Sequence, residues 1–452
     1  MERSDGMTTA HSLSASSRTD LRGTPVSIND PAALELFEQA VRQFQSYVGD
    51  AIATIDRALA LRPDFVLGHA FRAAALMTAG ERRFTELARP SVAAAEGLLD
   101  HANDRERGLV VACRALVDGD WRGACGAFDR VLVDHPRDIV ALQTAHIYDF
   151  VRGDATSLRD RVTRVLPAWS PSVPGYSYVL GLHAFGLEEC NEYDRALDTA
   201  ARALAIEPID AWAVHAAVHV KEMRGQIDDG IYFLETRQLD WAPGNGFAFH
   251  NFWHLALFYL DRGDVARVLE LYDRHIYPEP SDFSLQLVDA TALLWRLHLL
   301  GVDVAARFEQ VAQVWEGKLD DERGFWAFND VHAMMAFAAT RREGAIARLS
   351  RDLDGSTTGS NAMMASEIGI PVARALVAFA MGRYAPCVDD LVAARDVMHR
   401  FGGSHAQRDL FTLTIIEAAR RAGQGTVAAH FLNERSVHRP GSALGWRLAA
   451  RT

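Results

Sequence analysis

The chain has 452 residues, 49% hydrophobic and 23% charged; it is long enough to bury a large core, and its length alone admits two or three domains. A formal net charge of −12 argues against a broad surface for nucleic acid or for an anionic membrane, and no basic run interleaved with aromatics offsets it. Cys113, Cys125, Cys190 and Cys387 lie far apart with no C-x-x-C pair, which reads as reduced thiols in the cytoplasm rather than a disulfide framework or zinc knuckle.

Residues 1–30 are rich in Ser, Thr and Gly and lack an apolar h-region. They read as a flexible tail, not a secretory signal. No stretch approaches eighteen uninterrupted apolar residues, so no transmembrane helix is expected. From residue 31 the pattern is helical, and strand signals are weak throughout. Prolines recur at 136, 171, 208, 243 and 278. Three of the helix ends share one form: Leu61-Arg62-Pro63-Asp64, His135-Pro136-Arg137-Asp138 and Glu207-Pro208-Ile209-Asp210. Between the prolines, glycine marks a second turn, as in Arg152-Gly153-Asp154, Arg224-Gly225-Gln226, Arg262-Gly263-Asp264 and Met381-Gly382-Arg383. Proline cannot continue a helix and suits the first turn of the next; glycine supplies left-handed backbone where a helix stops.

Each unit therefore reads as helix A, Gly turn, helix B, Pro turn. A period near 34 residues is the signature of tetratricopeptide repeats. One hairpin cannot bury its own apolar face, so neighbours stack into a superhelix. The expected fold is an all-α, tetratricopeptide-repeat-like solenoid over 31–452 with a concave groove. The register is clear from about 45 to 300 and looser beyond.

Longer motifs follow one another in a fixed order: Ala184-Phe185-Gly186-Leu187-Glu188-Glu189, Asp210-Ala211-Trp212-Ala213-Val214-His215, Trp253-His254-Leu255-Ala256-Leu257, Phe328-Asn329-Asp330-Val331-His332 and Gly403-Ser404-His405-Ala406-Gln407-Arg408-Asp409. Together they resemble the tetratricopeptide repeat protein 38 family over roughly 35–450. One departure is Lys221, where an apolar residue is expected; it reads as a surface change. The resemblance implies a helical-repeat fold and no particular activity.

Chemistry is concentrated in histidine. His146, His183, His215, His219, His250, His254, His298, His332 and His405 all fall in segments assigned to A helices, which line the groove of such a superhelix. His215/His219 and His250/His254 are i, i+4 pairs, each sharing one helix face. Their offsets from the next turn glycine differ, so a repeated packing requirement does not explain them. His183 and His298 lack an obvious local partner and read as packing residues, and His146 with Asp149 reads as a local pair. The remaining set, with carboxylates, gives the candidate catalytic residues His215, His219, Glu222, His254, Asp330, His332, His405 and Asp409. Trp212, His250, Asn251, Trp253, Asn329, Gln407 and Arg408 are the candidate ligand-binding residues.

Three chemistries use such a set. Two i, i+4 histidine pairs with Glu222 or Asp330 can ligate a divalent metal, although the H-E-x-x-H pattern is absent. A metal-free acid–base site would hold a histidine with Asp330 or Asp409 and grip an anion with Arg408. A groove lined also by Trp295 and Trp326 would hold a small molecule or peptide without catalysis. No G-x-S-x-G elbow, phosphate loop or Rossmann fingerprint is present, which excludes the usual serine-hydrolase and nucleotide-dependent mechanisms. Two functions stay open: a binding protein for a small polar ligand or peptide, and a solenoid-fold hydrolase or lyase using the same cluster.

Overall fold

The computed structural model describes residues 18–355 and 358–450. Twenty-five α-helices follow one another, and the described residues hold no strand longer than an isolated bridge. They are α1 Pro31–Ser46, α2 Ala51–Leu61, α3 Val66–Met77, α4 Arg82–Gly97, α5 Asp104–Val117, α6 Trp121–Asp134, α7 Ile139–Val151, α8 Ala155–Val165, α9 Tyr176–Glu189, α10 Tyr193–Ile206, α11 Ala211–Met223, α12 Ile227–Thr236, α13 Gln238–Trp241, α14 Ala248–Arg262, α15 Val265–Leu271, α16 Ser284–Leu299, α17 Ala305–Glu322, α18 Ala327–Ala339, α19 Glu343–Gly355, α20 Ser360–Met364, α21 Ile370–Ala380, α22 Tyr384–Ala394, α23 His405–Arg421, α24 Gly425–His438 and α25 Leu444–Ala449. Paired as antiparallel hairpins, they form the tetratricopeptide-repeat-like α-solenoid expected.

The two turn types work as the residues dictate. In the proline turns, the aspartate two positions on caps the next A helix: Asp138 accepts from Ala141 N, and Asp210 from Trp212 N and Ala213 N. In the glycine turns, Gly153, Gly225, Gly263 and Gly382 all take positive φ. The A helices α7, α9, α11, α14, α16 and α18 are buried around most of their circumference, whereas B helices such as α10 and α17 bury one stripe.

The tail expectation holds for none of the described residues 18–30. Asp20 and Arg22 are buried; Arg22 pairs with Glu38 at 2.9 Å and Arg105 approaches Asp20 at 3.2 Å, while Val26 and Ile28 join the core. Residues 1–17 lie outside the described residues. Ser360–Ala380, interrupted by a π-helical turn at Ala365–Gly369, is long and apolar enough by composition to cross a membrane. Here it is a core helix: Ile368, Val372, Leu376 and Phe379 are buried, and it packs on α18 and α22.

The path of the superhelix positions the site. Hairpin tips of the first half meet loops of the second half in the same order along the chain. Gly246 N donates to Tyr47 O at 2.7 Å, Ser284 N to Glu81 at 2.8 Å, Ser360 N to Gly119 O at 2.9 Å, and His405 N to Glu189 at 2.9 Å. Arg439 then pairs with Glu222 at 2.5 Å, and Ala443 N donates to Asp261 at 2.6 Å. The later hairpins thereby roof the inward-facing A helices, and the concave side narrows to a cavity.

Candidate functional site

Helices α11 and α14 are neighbouring A helices, and each presents its i, i+4 histidine pair to the other. All four rings meet. Ring centroids lie 4.3 Å apart for His215–His219, 4.5 Å for His219–His254, and 4.9 Å for both His215–His250 and His250–His254. All four are buried, and one nitrogen from each lies within 4.8 Å of the other three.

Carboxylates from three different A helices stand behind these rings. His250 Nδ1 is 2.7 Å from Asp289 on α16, His254 Nδ1 is 3.0 Å from Glu222 on α11, and His219 Nδ1 is 3.3 Å from Glu188 on α9. At His250 and His254 the carboxylate hydrogen-bonded to Nδ1 fixes the tautomer and turns Nε2 inward, the arrangement that supports metal-bound histidine, whereas Glu188 lies near His219 Nδ1 without a hydrogen bond. The inward atoms are short of partners. His219 Nε2 and His254 Nε2 have no hydrogen bond, whereas His215 Nε2 and His250 Nε2 share one at 3.1 Å. Metal–nitrogen bonds of ~2.0–2.1 Å put two ligating nitrogens roughly 2.9–3.4 Å apart; the four nitrogens here lie within 4.8 Å of one another, close enough for small side-chain shifts to bring them around one ion.

Electrostatics favour the neutral, ligating form of imidazole. Burial, then the neighbouring imidazoles, holds His215 and His254 well below the usual histidine range. Burial likewise depresses His219, to about 4. Glu188 is pushed well above the carboxylate range by burial and by adjacent Glu189, and neither of its oxygens has a hydrogen bond. A buried polar group left so is costly unless a charge completes it.

Beside the cluster lies a cavity of about 330 Å³. Its inner wall includes His215 and His250; its rim includes exposed Gly49 and half-buried Gln43 and Ala51. Aromatic side chains dominate the lining, among them Tyr47, Phe185, Trp212, Phe247, Trp326 and Phe328. Among the described residues, no aspartate, glutamate, lysine or arginine lines it.

The other residues singled out from sequence divide. Trp212, Asn329 and Gln407 line the cavity with His250. Trp253 stacks on His250 at 5.4 Å and is itself fully buried under the Arg296 guanidinium, so it supports the ring instead of facing the cavity. Asn251 is buried and ties α14 to Ala211 O. Asp330 does not join the histidines: it accepts from Gly324 N at 3.1 Å and locks the loop before α18. His332 donates from Nδ1 to Phe328 O at 2.8 Å within its own helix, also apart from the four rings. His405, Arg408 and Asp409 lie apart from the four rings in a flanking network and line a separate cavity. Glu189 receives His405 N and Arg408, while Asp409 is held by Arg435 at 2.8 Å and Arg439 at 3.6 Å. Arg439 carries that network to Glu222, and so to His254. Trp295 is core, donating to Thr414 at 3.0 Å. His183 bonds Thr163 at 3.1 Å and His298 packs on Trp295, in keeping with their packing role. The local pair of His146 and Asp149 does not form: His146 bonds Leu182 O at 3.0 Å, and Asp149 receives Arg161 at 2.7 Å. Lys221 is half-buried, its ammonium over the Phe233 ring at 5.6 Å.

Glu188, Asp289 and Arg439 are absent from the sequence-derived set. The signal for the two carboxylates was present: each is a charged residue inside an otherwise apolar A-helix run, Leu187-Glu188-Glu189 and Val288-Asp289-Ala290. Arg439 lies in the turn after α24, where nothing local marks it.

No family model matches the chain. Solved structures with a similar course of helices include yeast Tom70, with 10% identity, 89% of this chain and 91% of that one covered, and a TM-score of 0.40. A human IFIT1 dimer with PPP-AAAA has 11% identity, 94% and 96% coverage, and a TM-score of 0.41. The P58(IPK) TPR domain has 14% identity, 87% and 98% coverage, and a TM-score of 0.22.

Proposed function

We propose that this protein is a metalloprotein in which His215, His219, His250 and His254 hold one divalent transition-metal ion, used on a small molecule admitted to the adjoining cavity. The observation that carries this reading is the convergence of four buried imidazoles with carboxylates behind three of them. Imidazole suits zinc, iron, copper and nickel alike, so the donor set selects the class of ion and not its identity. Of the two functions left open by the sequence, the enzyme gains, because a metal beside a ligand cavity supplies an electrophile where recognition alone needs none. Asp289, Glu222 and Glu188 orient the rings and set their basicity. His405, Arg408, Asp409 and Arg439 belong to the support behind Glu222 and Glu189. Membership of the tetratricopeptide repeat protein 38 family, on the ordered motifs, and a cytoplasmic location are part of the same proposal.

Elemental analysis of protein purified without added metal tests the reading. About one equivalent of a first-row transition metal is expected, falling to near zero in His250→Ala and His254→Ala. Parent protein that holds no metal, and takes up neither zinc, iron nor cobalt after dialysis, overturns it.

A further inference from the structure

The chemistry of the cavity wall identifies what the centre acts on. Among the described residues, twenty-five line the cavity and none carries a formal charge. A carboxylate or phosphate placed there would lose its hydration and find no guanidinium or ammonium group to replace it, and a buried unpaired charge is strongly disfavoured. Arg408, the residue that could have gripped an anion, points elsewhere, to Glu189 and Gly403 O. The metal does not demand an anionic ligand either. Asp289 and Glu188 stand behind the rings, where a bound cation would favour their ionised forms and be balanced by them, while Glu222 is matched by Arg439.

The wall is nevertheless not uniformly apolar. Trp212 Nε1, a donor, and Gln43 Oε1, an acceptor, are buried without hydrogen-bond partners, and both residues line the cavity. Facing the cavity, these two atoms can form hydrogen bonds with a molecule that enters it. A metal held by the four rings would be approached from the side of His215 and His250, because among the described residues these two line the cavity while His219 and His254 are fully buried.

Resting on the metal reading above, we propose that the cavity takes an uncharged, mainly apolar small molecule. It stacks among Tyr47, Trp212 and Phe247, meets Trp212 Nε1 and Gln43 with its own hydrogen-bonding groups, and reaches the metal between His215 and His250 with one neutral donor atom. This replaces the small polar ligand or peptide expected from sequence. A cavity of this size is that of a metabolite-sized ligand, not of an extended chain.

Cobalt(II)-loaded protein at pH 8 tests the inference, with the visible spectrum of cobalt as readout. The probes are 4-phenylimidazole (a neutral donor on an apolar body), imidazole (the donor alone) and benzoate (an anionic donor on the same kind of body). 4-Phenylimidazole is expected to perturb the spectrum with at least tenfold tighter binding than imidazole, and benzoate to bind more weakly than either. Ala79→Trp and, separately, Ile147→Trp, which fill the cavity from two sides, are expected to weaken 4-phenylimidazole at least tenfold while cobalt is retained. Cobalt bound with benzoate preferred, or with imidazole and 4-phenylimidazole equal, overturns the ligand class and leaves the metal reading standing. Failure of cobalt, zinc and iron to bind overturns both.

Discussion

At the scale of single residues, the deciding feature is which nitrogen of each histidine is committed. Asp289 and Glu222 take the Nδ1 side of His250 and His254 by hydrogen bonds, which leaves their Nε2 atoms to face the other rings, while Glu188 stands 3.3 Å from His219 Nδ1. Removing one carboxylate should loosen the metal without removing a ligand. Asp289→Asn is expected to weaken metal binding about 10- to 100-fold, the usual cost of losing such a support; competition with a chromophoric chelator measures it. Asp330 makes the opposite case, a carboxyl that costs stability. Burial raises it to about 7, against the pull of the Gly324 N–H. Its folded-state pKa is above the unfolded value, so the folded protein binds the extra proton between about pH 4 and 7, and stability falls as pH rises through that window. Asp330→Asn keeps the oxygen that Gly324 needs and has no proton to lose. Its stability relative to the parent should therefore rise from pH 4 to 7 and then level off, as read by denaturant midpoints at each pH. A difference that is flat with pH would refute the assignment.

At the scale of elements, the hairpin tips matter as much as the helices. Gly225 ends the α11 hairpin with φ +67°, and a Cβ there would sit 1.6 Å from Pro440 O. Gly153 meets His399 O in the same way. Gly225→Ala therefore combines left-handed strain with a backbone collision, each of which costs on the order of 1–3 kcal/mol. The denaturation midpoint should fall accordingly, and metal affinity should fall with it, because Arg439 behind Glu222 belongs to the displaced turn. Between helices, Arg161 joins α8 to Asp149 on α7 in a buried pair. Arg161→Met leaves that aspartate with only the longer Arg152 contact at 3.5 Å, and a loss approaching the ~3–5 kcal/mol of a broken buried pair is expected.

At the scale of the whole molecule, the site is a product of superhelix closure. The four histidines proposed as ligands come from two helices, the carboxylates beside them from α9, α11 and α16, and the Arg439 brace from beyond α24. Binding to such a preassembled centre stabilises the folded chain by mass action, about 2.7 kcal/mol at a hundredfold excess over Kd. Metal removal by chelator should thus lower Tm, and readdition should restore it. In His254→Ala the same treatment should move Tm little.

Repeat length, helical hairpins, the cap-bearing proline turns and the two histidine pairs were all legible in the sequence, because each is fixed by neighbours within one or two helical turns. The convergence of His215 and His219 with His250 and His254 follows from two adjacent repeats in register, which is why a local pattern anticipated it. Asp330 and His332 looked equivalent to them by composition, yet they lie elsewhere, because each is captured by backbone groups of its own segment. Glu188, Asp289 and Arg439 became part of the centre only when hairpins far apart in the chain were brought together. That closure also turned the groove into a cavity without charged walls. It depends on the cumulative rotation from one hairpin to the next, a long-range sum that no single repeat encodes.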